Sequence, residues 1–243
     1  MNLDRERVLH CATIFVILIL LTLGGFLIEH CVGVQTAGGI SGDRTVVVID
    51  AGHGGIDGGA VSCTGVKESD LNLQIALKLR DILNLLGIKT LMIRTEDISI
   101  YASGESIAAK KVSDLKERVR IINNTNNAVL ISIHQNYFSD SRYSGTQVFY
   151  KDPYYELASL LQCNFTTINS QNHRKIKKAK GIYLLDHIQC PSVLIECGFL
   201  SNPKEEQLLR TDDYQKKICS VIGASISHYI HNTLTMTDML DII

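Results

Sequence analysis

The chain is 243 residues long, 45% hydrophobic and 20% charged, with a formal net charge of -1 and a pI near 6.7. That length suffices for one well-buried core and strains to hold two. The balanced charge lacks the basic face that nucleic acid demands, which excludes DNA and RNA as partners.

The first feature is the run from Val8 to Ile28, which contains no Asp, Glu, Lys or Arg. At ~1.5 Å per residue it is long enough to cross a ~30 Å hydrocarbon core. Arg5 and Arg7 precede it and Glu29 follows, a bias that keeps the N-terminus inside and sends the remainder out. We therefore expect a signal-anchor or transmembrane segment over 1–34, a Gly/Ser/Thr-rich linker over 35–43, one folded domain over 44–231 and a C-terminal tail over 232–243. The small residues around Thr36-Ala37-Gly38 would serve for cleavage in a secreted alternative. Of the seven cysteines, Cys11 falls in the apolar run. The others form neither a CxxC nor a disulfide framework, and read as reduced apolar fillers.

Thr45 to Asp50 is a β-branched run of the kind buried on both faces of a parallel sheet, and a glycine-laden turn follows it. Leu71, Ile75, Leu79, Ile82, Leu83 and Leu86 make a helical stripe that Gly87 is placed to cap. Ile88–Ile93 predicts a strand, Leu115–Ile122 a helix with Ser113 near its cap, and Ala128–Ile133 a third buried strand. Gly145–Tyr150, Ile182–Leu185 and Val193–Glu196 predict further strands, with a helix from Tyr154 to Ile168. Lys204–Leu209 and Tyr214–Ile230 read as closing helices. This alternation predicts an α/β fold with a mostly parallel central sheet flanked by helices.

In such sheets functional groups collect beyond the carboxyl ends of the strands. The first run ends in Asp50-Ala51-Gly52-His53-Gly54-Gly55, the third in Ser132-Ile133-His134-Gln135-Asn136, and the last in Ile195-Glu196-Cys197-Gly198. Glu68, at the start of the first helix, can point back to the same end. Two imidazoles and one carboxylate, His53, His134 and Glu68, with a fourth position open, make the layout of a catalytic zinc site. Glu196 is a second carboxylate suited to move a proton from water to a leaving nitrogen. The glycine loop lacks both the Gly-Lys-Ser/Thr ending and the GxGxxG spacing of phosphate-binding loops. Cys197 or Cys63 with His53 is an alternative thiol nucleophile and base. Arg174, Lys175, Lys177, Lys178 and Lys180 read as a solvated loop, or as a contact for acidic envelope groups.

Val-Val-Ile-Asp-Ala-Gly-His-Gly-Gly, Asp57-Gly58-Gly59-Ala60, Glu68, Ile131-Ser132-Ile133-His134 and Leu194 through Asn202 together resemble the zinc N-acetylmuramoyl-L-alanine amidases of the amidase type 3 family, from about Arg44 to Ile230. The resemblance implies one zinc ion held by His53, Glu68 and His134, a catalytic Glu196, and cleavage of the bond between muramic acid and the first alanine of peptidoglycan. The N-terminal anchor and the stretches Lys110 to Asn123 and Arg174 to Leu185 resemble the sporulation branch, which implies spore cortex modification, muramic-lactam formation and germination. Tyr137 stands where many relatives have a small residue, which bears on the substrate floor beside Asn136, a candidate substrate-binding residue. Peptidoglycan is the implied partner, with an activating envelope protein as a further one, and the implied location is the cell envelope or spore. The competing readings are a wall-binding protein that keeps the fold without catalysis, and another zinc hydrolase of the envelope, a peptidase or deacetylase.

Overall fold

In the computed structural model, residues 45–240 are described. The expected membrane segment and linker, 1–43, lie outside them, and no helix among the described residues is long and apolar enough to cross a membrane.

The strands are β1 (Val46–Ala51), β2 (Lys89–Met92), β3 (Ala128–Asn136), β4 (Gln147–Tyr150), β5 (Lys177–Lys178) and β6 (Ser192–Phe199), in the sheet order β2-β1-β3-β6-β4-β5. All pairings are parallel except that of β4 with β6. Every residue of β1 is buried, as expected for a strand covered on both faces. The helices are α1 (Glu68–Leu85), α2 (Ile107–Asn123), α3 (Tyr155–Asn164), α4 (Tyr183–His187), α5 (Pro203–Leu209) and α6 (Asp212–Leu240).

Strand alternation sorts the core into two layers. Val47, Ile49, Val129, Ile131, Val193 and Ile195 face one side, where α1 delivers Leu71, Ile75, Leu79 and Leu83 and α6 delivers Ile218, Ile222 and Ile226. Val48, Leu130 and Leu194 face the other, against Ile122 of α2 and Leu184 and Leu185 of α4. The stripe predicted for α1 is its buried face, and its end is a Schellman cap. Gly87, at φ +74°, donates to Asn84 O at 3.0 Å, and Ile88 N donates to Leu83 O at 2.9 Å.

Four elements differ from expectation. Ile182–Leu185 is not a strand but the start of α4. Leu184 and Leu185 are both buried, and His187 stacks on Tyr183 with centroids 4.0 Å apart, an i, i+4 contact that only a helix brings about. An apolar run this short carries no decisive period. The basic stretch is not entirely loop, because Lys177 and Lys178 pair with Phe149 and Tyr150 as an exposed edge strand. Helix α2 starts well before Leu115: Ser106 Oγ accepts from Ala109 N at 3.1 Å, and Ser113 instead receives Ala102 N and Ser103 N from the preceding loop. Helix α6 runs through Leu240, so the segment expected as a tail from residue 232 begins inside it.

Candidate metal centre

The site lies where β1, β3 and β6 end together. Cross-strand partners project to one face, and His134 is paired with Glu196. A register shift after His134 brings Asn136 opposite Phe199, so Glu196 and Phe199 share that face. His53 follows β1 at φ +62°, a left-handed conformation that turns its ring back over the strand end. Glu68 opens α1, buried in the first turn.

The three residues converge: one ligand atom from each of His53, Glu68 and His134 lies within 4.8 Å of the others. Glu68 sits between the rings, with Oε1 2.9 Å from His134 Nδ1 and Oε2 3.3 Å from His53 Nε2. A metal bound at about 2.1 Å by each donor needs them about 3.4 Å apart, so two imidazoles and this carboxylate fit one. Glu68 is fixed further by Ala60 N at 2.9 Å and Gln135 N at 3.1 Å, and Asn72 bridges Glu68 Oε1 and Gly52 O. Two glycines leave the room required. A Cβ on Gly52 would lie 2.3 Å from the His134 ring, and one on Gly59, at φ +67°, would lie 2.6 Å from Glu68 Oε2.

Charge follows from that geometry. Burial opposes ionisation of Glu68, but hydrogen bonds and charge from His134 and His53 outweigh it and hold the carboxyl well below the usual carboxylate range. Burial alone would depress His53, yet Glu68 and then Asp57 more than offset it and raise the imidazole to about 9. Glu196 is the opposite case. Its Oε2 is buried without a hydrogen-bond partner, and burial, with Glu68 adding and His134 opposing, pushes the carboxyl up to about 7. A buried carboxyl poised near neutrality can take up and give back a proton.

All four residues named from the sequence are therefore brought together, and Asn136 lies on the same face two residues beyond His134. Cys197 is not a partner of His53: it points away into the core, and burial raises its thiol far above the usual value. Cys63 is exposed.

Sequence reasoning missed the supports. Asp57 Oδ2 is 2.9 Å from His53 Nδ1, and its other oxygen is 2.7 Å from Lys111 Nζ. Two buried arginines clamp the turn after β1. Arg94 donates to Ala51 O, Gly52 O and Ser69 O. Arg118 donates to Ala51 O at 3.0 Å and His53 O at 2.7 Å, and pairs with Asp50 and Asp114. The available signals were a charge directly after a strand, Arg94, and one within a helical apolar spacing, Arg118.

Residues 47–228 match the family described as N-acetylmuramoyl-L-alanine amidase, Amidase_3. The germination-specific N-acetylmuramoyl-L-alanine amidase of Bacillus subtilis is 37% identical over 188 residues, covering 76% of this chain and 79% of its own. The amidase AmiA of Escherichia coli is 29% identical, covering 79% and 78%. Among solved structures, the CwlD amidase of Clostridioides difficile, in complex with the GerS lipoprotein, superposes with a TM-score of 0.75 at 39% identity, covering 77% of this chain and 99% of that one.

Proposed function

The chain belongs to the N-acetylmuramoyl-L-alanine amidase family, and from that premise we propose that it is a zinc-dependent hydrolase of the amide joining N-acetylmuramic acid to L-alanine in peptidoglycan. The observation that carries this reading is the carboxylate of Glu68 between two imidazoles, beside the unpartnered buried oxygen of Glu196.

In this reading His53 Nε2, Glu68 and His134 Nδ1 hold the metal. Zinc, when bound, supplies Lewis acidity toward water and the scissile carbonyl. Asp57 Oδ2 accepts a hydrogen bond from Nδ1–H of His53, which fixes the tautomer whose Nε2 lone pair is free for the metal. Glu196 Oε2 accepts a proton as water attacks the carbonyl carbon, then returns it to the alanine nitrogen as the C–N bond breaks. Asn136 offers its amide to the substrate from the same strand face. Loss of any one of the four central residues would favour a wall-binding protein without catalysis, and all four are present. Their geometry alone does not separate this reaction from that of an envelope peptidase or deacetylase, and the family does.

The likeness to the germination-specific relative supports a role in spore cortex peptidoglycan, with muramic-lactam formation and germination as the process. The relative solved with a lipoprotein supports an envelope protein as activating partner. The apolar run at 8–28 supports an extracytoplasmic domain, anchored or secreted.

The test is digestion of purified peptidoglycan by the full chain, with and without added zinc, alongside Glu196→Ala. Stem peptides with a free N-terminal alanine, identified by mass spectrometry and lost on substitution, are the expected products. Zinc-loaded protein that releases none, alone and with its envelope partner, overturns the reading.

A further inference from the structure

A half-buried arginine beside the site forms no ion pair among the described residues, and the chemistry above does not use it. Arg174 lies with its guanidinium carbon 4.3 Å from the centre of the Phe199 ring and 5.7 Å from that of Tyr143. Its Nε donates to Ser144 O at 2.6 Å and its Nη1 to Gln147 Oε1 at 3.2 Å. Gln147 is the cross-strand partner of Glu196, and Phe199 shares the face of Glu196, so two independent contacts place the guanidinium next to the catalytic face. No carboxylate of the described residues forms an ion pair with it within 4.0 Å. Glu205, the nearest acid in charge terms, spends its two oxygens on Gly145 N and Phe199 N.

The surroundings are built rather than incidental. The loop carrying Tyr143 is pinned by Phe138 N on Ser201 Oγ and by Asn202 Nδ2 on Tyr143 O, and Phe138 packs edge-on against Tyr143 at 4.8 Å. Phe138 and Tyr143 nevertheless remain about half exposed, at 50% and 46%. A guanidinium offers five N–H donors in a planar fork, and only two are engaged here. Stacking on two rings fixes the plane while leaving the outer edge for a planar anion.

We propose that Arg174 is the anion-reading residue of the substrate cleft, stacked on Phe199 and Tyr143 to take a free carboxylate of the peptide stem. The inference rests on the amidase reading, because it is the stem of that substrate that carries carboxyl groups on the alanine side of the scissile bond. The fork holds the stem while Glu196 faces the amide, so that substrates with amidated stems bind less well than those with free acids.

The test uses the zinc-loaded full chain carrying Glu196→Gln, which stops turnover, titrated calorimetrically with two muramoyl-peptides that differ only in free or amidated stem carboxyls. The free acid should bind about 10- to 100-fold more tightly, the range of a charge-assisted fork. Adding Arg174→Met should bring the two affinities within about twofold of each other, while Arg174→Lys, which keeps charge without the fork, should retain part of the difference. A purely structural role for Arg174 predicts equal loss for both ligands. Equal affinity of the unsubstituted-Arg174 protein for both ligands, binding of neither, or equal loss on substitution overturns the proposal. A peptidoglycan digest that releases no stem peptides counts instead against the amidase reading itself.

Discussion

Gly52 and His134 touch across adjacent strands: a Cβ on Gly52 would lie 2.3 Å from Cε1 and Nε2 of the imidazole. The ring is pressed against backbone on one edge, and its Nδ1 is thereby presented to Glu68 on the other. Gly52→Ala must displace the ring, since the added methyl meets the imidazole and not the end of a flexible chain. Zinc affinity should fall about 10- to 100-fold, as for loss of a group that orients a ligand. Chelator competition would measure it, and an affinity within twofold of wild type would show that the ring does not depend on this contact.

Metal uptake should be coupled to protons. With the imidazole of His53 raised to about 9, the metal-free site holds His53 protonated at neutral pH, and a metal ligand must be neutral. Binding therefore expels about one proton per zinc at pH 7, and affinity falls about tenfold per unit as pH drops below the raised value. Calorimetry in buffers of different ionisation enthalpy reads the proton directly. Asp57→Asn removes one of the two carboxylates that raise His53, and should reduce the number released. Zero protons in wild type would contradict the ion-paired state.

The contrast between what could and could not be read from sequence has a physical source. His53, His134 and Glu196 were legible because each ends a buried apolar run, where a polar side chain has no packing reason to stand. Glu68 was legible because it opens the helix that follows the glycine-rich loop after His53, where a side chain can point back to the sheet end. Asp50, Arg94 and Arg118 form a buried, hydrogen-bonded layer beneath the site and were not legible. A charge in an amphipathic helix looks solvated in sequence, and only the tertiary crossing of α2 over β1 makes Arg118 just 2% exposed. Ile182–Leu185 failed for a different reason, since four apolar residues fit either period and the stacking of Tyr183 on His187 decides it.

The Asp50–Arg118 pair ties the site to stability. Burial raises Asp50, but Arg118, His134 and Ser132 together outweigh it and hold its carboxyl below the ordinary 3.8. A depressed acid contributes stability that is present above its unfolded value and is lost as pH falls through the folded one. The pair therefore supports the fold at neutral pH, and that support begins to decline below about pH 4 and is lost as pH falls through the lower folded value. Asp50→Asn leaves Arg118 buried with Asp114 as its remaining acid, and should cost about 1–3 kcal/mol at pH 7. Urea titrations should show the gap between variant and wild type narrowing below pH 4. A gap constant with pH would assign the loss to packing.

Glu196 sets the pH profile of turnover. Its carboxyl is pushed up to about 7, chiefly by burial, and only the ionised form can accept a proton from the attacking water. A bound metal cation favours that ionised form, so activity at low substrate should climb with rising pH and level off by about pH 7. Glu196→Gln keeps size and removes the titration, so turnover should fall about 100- to 10,000-fold while the zinc content stays at the wild-type level. Retained zinc separates a lost proton carrier from a collapsed site, because Glu196 lies outside the set of His53, Glu68 and His134. A wild-type profile with no fall in activity on the acid side of pH 7, or a Gln variant with near-normal turnover, would remove Glu196 from the proton path and leave the attack to be assisted by another group on this face.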